Sequence, residues 1–207
     1  MKYINFKVLL KKLSRLIVIG LIVEYFITIW YVYKTKILFI HIPKCAGLSI
    51  SKSIYGGPIG HKKLSYFKLH LVLFNPYVFT VLRDPEDRFL SALNYAHSGG
   101  TSVGHVNYNI HKLVKNNDLE LIVNSVANGK IKDPIFLPQS FYLDDSNVKI
   151  NYYYFNQIDQ LETDLSISLI PMNASFLKKF DKNDMLPFND RIRDLYSEDY
   201  KLINEFL

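Results

Sequence analysis

The apolar positions of this chain fall into one long run, three short ones and several stretches with helical spacing. Leu16 to Tyr33, LIVIGLIVEYFITIWYVY, holds one charge, Glu24, in 18 residues. That length sits at the short edge of a membrane span, for which ~20 residues are usual. Trp30, Tyr31 and Tyr33 cluster at its C-terminal end, where an interfacial aromatic belt would lie. Lys7, Lys11, Lys12 and Arg15 precede it and would stay on the cytoplasmic side. No small-residue cleavage site follows, which argues against a signal peptide. Residues 1–36 are therefore expected to form a basic, hydrophobic N-terminal helix that anchors the chain in a membrane. The competing expectation is a helix packed on the domain, because Glu24 is costly in lipid and Gly20 weakens a helix.

Residues 37–207 alternate short apolar strands with helical patterns, the signature of an α/β domain with a mostly parallel sheet. Ile37 to Ile42 is almost wholly β-branched or aromatic and reads as a buried strand, which Pro43 ends because it has no N–H to donate. Tyr77 to Leu82 is a second strand. Pro85 is placed to open the helix that runs through Arg88, Leu90 and Asn94. Leu119, Ile122, Val123 and Val126 recur at helical spacing, with Gly129 as the stop. Val148 to Phe155, rich in tyrosine, is a third strand, and Asp190 to Phe206 is a polar terminal helix.

Charge changes the picture once it is located. The chain of 207 residues carries a net charge of +6, which alone would point to nucleic acid. Residues 1–36 hold seven Lys and Arg and one acid, so the whole excess lies there and the remainder is neutral. A nucleic-acid-binding domain needs a basic face on the fold itself, and none is expected. Within the neutral part, residues 44–91 hold seven basic and three acidic side chains, while residues 112–207 hold eleven and fifteen. Cys45 is the only cysteine, so no intramolecular disulfide forms, and its expected role is that of a small filler residue.

The local basic excess coincides with candidate chemistry. After the first strand come Lys44, Gly47, Ser49 and Ser51, with a helix over Leu48 to Tyr55. A strand, a small-residue turn and a helix N-terminus direct backbone amides and the helix dipole at one spot, and Lys44 adds a full charge. The ligand would carry a phosphate or a sulfate. This is not a Walker A loop, where glycine and lysine are adjacent, and no acidic strand end follows to hold Mg²⁺. Arg83 ends the second strand and Ser91 lies two turns into the next helix; ligands of open α/β sheets bind outside such carboxyl ends. Arg83 can clamp a phosphate, with a local salt bridge to Asp84 or Asp87 as its competing role. Arg88 is expected to be structural.

His41 to Ser49 (HIPKCAGLS) and Leu82 to Leu93 (LRDPEDRFLSAL) together resemble the two motifs of the family 2 carbohydrate sulfotransferases, which use 3′-phosphoadenosine 5′-phosphosulfate (PAPS). Gly60-His61, Gly99-Gly100-Thr101 and Phe136-Leu137-Pro138-Gln139-Ser140 add to the likeness, which is closest to short bacterial-type members. The resemblance implies a P-loop-like three-layer fold over residues 37–207. It also implies transfer of a sulfuryl group from PAPS to a hydroxyl of a carbohydrate or glycan acceptor, without a metal. Lys44, Cys45, Ala46, Gly47, Leu48 and Ser49 would bind the 5′-phosphosulfate, and Arg83 with Ser91 the 3′-phosphate. Lys44 would be catalytic through the charge it sets against the leaving phosphate.

The acceptor hydroxyl needs a base, and His61 is the candidate: an ordinary imidazole pKa of ~6.5 leaves it largely neutral near pH 7. Heparan sulfate 2-O-sulfotransferases also place histidine in this region. His41 is expected to be a hydrogen-bonded core residue. His97 and His105 flank the Gly99-Gly100 loop as candidate substrate contacts, and none of the histidines shows metal spacing. Three positions depart from the family pattern: Leu48 stands for the usual threonine, Asp84 for asparagine, and Asn156 near a usual acidic residue. They motivate an alternative, a catalytically inactive membrane-tethered homologue that binds nucleotide or glycan; a phosphoryl transferase is the other. Asn173-Ala174-Ser175 is a lone glycosylation sequon and decides nothing about topology.

Overall fold

The computed structural model describes residues 6–101, 104–145, 147–171 and 178–206, so the sequon lies outside the described residues. Three parallel strands form the central sheet in the order β1 (Ile37–Ile40), β2 (Tyr77–Leu82), β5 (Asn151–Tyr154). Ile37 is in register with Tyr77, and Phe79 with Asn151. Both faces of such a sheet must be covered, which is why Leu38, Phe39, Ile40, Phe79 and Val81 are almost fully buried. The chain is thus an α/β protein. A two-stranded ribbon, β3 (Gly100–Thr101) with β4 (Gly104–His105), lies outside this sheet.

Helix α1 (Phe6–Thr35) leads into β1, and α2 (Gly47–Tyr55) and α3 (Lys68–Phe74) lie between β1 and β2. Helix α4 (Pro85–His97) starts at Pro85, as the fixed φ of proline favours, and Asp84 caps it by accepting from the Asp87 amide at 2.9 Å. Helices α5 (Tyr108–Asn116), α6 (Leu119–Ala127), α8 (Lys182–Met185) and α9 (Asn189–Leu195) gather with α4 around a second apolar cluster that includes Phe89, Leu93, Val123 and Ile192. Helix α7 (Ile158–Leu165) follows β5, and α10 (Ser197–Phe206) ends the described chain.

Three elements differ by two residues or more from their sequence-based boundaries: the third strand runs Asn151–Tyr154 rather than from Val148 to Phe155. The first strand stops at Ile40, two residues short, because the chain is already turning toward the 41–46 loop. The terminal helix is split at Tyr196, whose ψ of 26° breaks the helical path. The split lets the Tyr196 hydroxyl donate to the Phe136 carbonyl at 2.7 Å and turns Asp199 inward. Its apolar spacing looked continuous because the break serves these two polar contacts.

Among the described residues, no helix is long and apolar enough to cross a membrane. From Glu24 onward, α1 packs on the domain. Val32 is fully buried, the Tyr31 ring stacks on Tyr55 at 5.2 Å, and Thr28 Oγ1 lies 3.0 Å from His70 Nε2. Glu24, the isolated charge of the apolar run, pairs with Lys62 at 3.1 Å.

Candidate active site

β1 and β2 are adjacent and parallel, so their carboxyl ends deliver the 41–46 loop and Arg83 to the same edge of the sheet. The loop is unusual in its backbone. Lys44 (φ 69°) and Ala46 (φ 58°) both take left-handed conformations that cost an L-residue energy, and Cys45 between them does not. Alternating handedness turns successive amides toward one point, the geometry of an anion-binding nest. Ala46 is also the N-cap of α2, so the positive end of that helix dipole faces the same region.

A cavity of about 590 Å³ opens there. Its walls include Lys44, Ala46, Gly47, Leu48, Ser49, His61, Arg83 and Ser91, so all but one of the residues expected to be catalytic or cofactor-binding border it. The exception is Cys45, which is fully buried beneath the loop with its thiol 3.5 Å from Gln139 Oε1. Burial pushes that thiol up to about 12, so it is not a thiolate near neutrality and acts as packing. His105 reaches the cavity wall; His97 packs edge-on against Phe180 instead.

The two cations are held differently. Lys44 Nζ lies 3.9 Å from the centre of the Tyr95 ring. Its burial, and secondarily the Arg83 charge, lower its pKa from 10.5 to about 8. The Arg83 guanidinium lies 4.4 Å from the Phe155 ring centre, and its Nη1 donates to the Lys44 carbonyl at 3.2 Å. No ion pair between Arg83 and Asp84 or Asp87 exists among the described residues, which corrects that competing role: Asp84 is committed to the α4 cap, and Asp87 binds Lys182 at 2.7 Å. Arg88 is structural, as expected. It is fully buried, donates to the carbonyls of Ile135 and Leu137, and lies 3.9 Å from Asp199.

His61 enters the cavity on the loop after α2, beyond Gly60, whose φ of 77° needs glycine. Burial, then the Lys44 charge, lower its pKa, so the ring is neutral at pH 7 and can accept a proton. His41 departs from expectation. It lies beyond the end of β1, its Nδ1 is buried with no hydrogen-bond partner among the described residues, and its ring meets that of His61 edge-on at 4.3 Å. A Cβ at position 47 would fall inside the His41 ring, so glycine is required there by close approach.

Sequence reasoning missed what fixes Arg83. Gln139 is fully buried and brackets that residue: its Oε1 accepts from the Arg83 amide at 2.9 Å, and its Nε2 donates to the Arg83 carbonyl at 2.8 Å. Asp199 in turn accepts from the amides of Gln139 and Ser140 at 2.8 and 2.9 Å. Gln139 was visible as part of a motif but its role was not, and Asp199 looked like one more acid on a polar helix. Tyr95, Asp133 and Phe155 also line the cavity without any signal in the sequence.

The arrangement presents two cations, a nest and a helix N-terminus to an anion, with a neutral imidazole on the same cavity. Among the described residues, no group of three or more His, Cys, Asp or Glu is placed to hold a metal ion. No family model, curated protein or solved structure matches this chain.

Proposed function

We propose that this chain is a PAPS-dependent sulfotransferase that modifies a hydroxyl of a carbohydrate, on a P-loop-like three-layer fold. One observation carries the reading: the Lys44–Ala46 nest, the start of α2, Arg83 and Ser91 all border one cavity at the carboxyl ends of adjacent parallel strands. A nucleotide with charged groups at both ends fits such a divided set of cations. The unpartnered, buried Nδ1 of His41 and the close approach at Gly47 are further signs of a wall shaped for a polar ligand.

In this reading Lys44 and residues 45–49 hold the 5′-phosphosulfate, and Arg83 with Ser91 the 3′-phosphate. The bound nucleotide supplies an activated sulfuryl group. Lys44 and the α2 N-terminus stabilise the negative charge that develops on the leaving phosphate oxygen, and His61 takes the acceptor proton. The departure at position 84 is harmless, because the Asp84 carboxylate caps α4 and does not oppose Arg83. Leu48 contributes only its backbone to an anion.

Calorimetry with 3′-phosphoadenosine 5′-phosphate, alongside adenosine 5′-phosphate, tests the reading. Preference for the 3′-phosphorylated nucleotide, lost in Arg83→Ala, is expected. Absence of binding refutes it. Transfer of labelled sulfate to a panel of glycans then separates an enzyme from an inactive nucleotide-binding homologue.

A further inference from the structure

We propose that the outer faces of α1 and α3 form one apolar surface that lies on an anionic lipid bilayer, with α1 in the membrane plane rather than across it. The inner face of α1 is already committed. Tyr25 meets Tyr66 and His70 edge-on at 5.3 and 5.1 Å, Thr28 bonds His70, Tyr31 stacks on Tyr55, and Glu24 pairs with Lys62. A helix packed in this way from residue 24 to residue 35 cannot be ringed by lipid.

Among the described residues, its outer face meets the domain only where Tyr33 reaches Phe74 of α3. Phe26, Trp30 and Tyr33 are each more than half exposed, and on α3 Leu69 and Leu73 are about half exposed and Val72 81% exposed. The two helices make one continuous patch. The Tyr33 ring lies 5.7 Å from that of Phe74, and Lys36 Nζ sits over both rings at 4.9 and 5.3 Å. Exposed apolar side chains in a contiguous group mark an interaction surface.

Charge selects the occupant. Residues 1–36 carry the whole net charge of +6, and their single acid, Glu24, faces Lys62 on the domain. Lys7, Lys11, Lys12 and Arg15 belong to the same helix, and Lys34 and Lys36 are exposed at its end. An apolar face carrying Trp and Tyr beside lysines, on a strongly basic helix, fits the headgroup–acyl boundary of an anionic leaflet. The pairing of Glu24 with Lys62, next to His61, would then hold the cavity at a fixed attitude to the bilayer.

The full chain is tested by co-sedimentation with phosphatidylcholine vesicles, with and without phosphatidylserine. Binding to the serine-lipid vesicles is expected, weakened by added salt and reversed by alkaline carbonate. Val72→Glu and Phe26→Glu should each weaken it by roughly tenfold or more, with unchanged melting temperature, since both side chains are exposed. Val72 is decisive because it lies outside α1: wild-type binding by Val72→Glu, or resistance to carbonate, would show a span instead. A lipid-free dimer that Val72→Glu dissociates would assign the face to a second copy and overturn the proposal.

Discussion

Under the proposed function, nucleotide affinity should collapse above pH 8, because the Lys44 charge assigned to the anion is itself easily lost. Half-buried against Tyr95 and beside Arg83, Lys44 has its pKa lowered from 10.5 to about 8. An anion in the loop favours the charged form, so the pKa of Lys44 in the complex rises and binding takes up a proton in the interval between the two values. The sign follows: affinity is full below pH 8 and falls as pH rises through it. With the free value at about 8 and the bound value at or above ~10.5, the protonated fraction of the free protein drops from about 0.9 at pH 7 to about 0.03 at pH 9.5, an affinity loss of roughly 30-fold. A lysine titrating at ~10.5 would lose only about a tenth over the same range. Calorimetry with 3′-phosphoadenosine 5′-phosphate at several pH values, in buffers of different ionisation enthalpy, reads both the affinity and the proton uptake. Lys44→Arg, which stays charged throughout, should flatten the profile. A flat wild-type profile, or the same fall in Lys44→Arg, would refute the placement of Lys44 on the anion.

Four further outcomes are expected. His61→Ala should lower kcat by ~10²–10⁴-fold, and the acid limb of the wild-type kcat/KM profile should lie below pH 6.5 because burial lowers the His61 pKa; an undiminished kcat removes the ring from the chemistry. Gly47→Ala should destabilise the fold by about 1–3 kcal/mol in denaturant titrations through its clash with the His41 ring, and His41→Ala should relieve most of that cost. Gln139→Leu should cost about 2–4 kcal/mol, since it strands the amide and carbonyl of Arg83, and should weaken nucleotide binding as well. Cys45→Ala should retain sulfuryl transfer, since the buried thiol titrates only at about 12; loss of turnover would give that sulfur a role.

The deviations from the sulfotransferase pattern look different once placed. Asp84 at the end of a phosphate-binding strand reads in sequence as an electrostatic conflict with Arg83. In the structure its carboxylate accepts the Asp87 amide at 2.9 Å, where the α4 dipole favours a negative group. Leu48 lines the cavity in the first turn of α2, where its backbone amide remains whatever the side chain. Glu24 likewise ceases to be an anomaly: the apolar run that surrounds it is two-faced, and its carboxylate belongs to the face that meets Lys62.

By itself the sequence located the three strands of the central sheet, the α4 start at Pro85 and the lysine–glycine turn after the first strand, because each depends on neighbours along the chain. Alternation, β-branching, a proline and a lysine–glycine turn are local signals. It also located the charge, which separated the basic N-terminal segment from a neutral domain. The tertiary structure alone decided that Arg83 pairs with no carboxylate among the described residues, that Gln139, itself held by Asp199, brackets its backbone, and that the terminal helix breaks at Tyr196. These involve partners more than fifty residues apart, and a buried polar group reveals its role only through the group that satisfies it. The same holds for Lys44: its identity was legible, but its lowered pKa arises from burial in the folded domain and then from the Arg83 guanidinium that the end of β2 brings beside it.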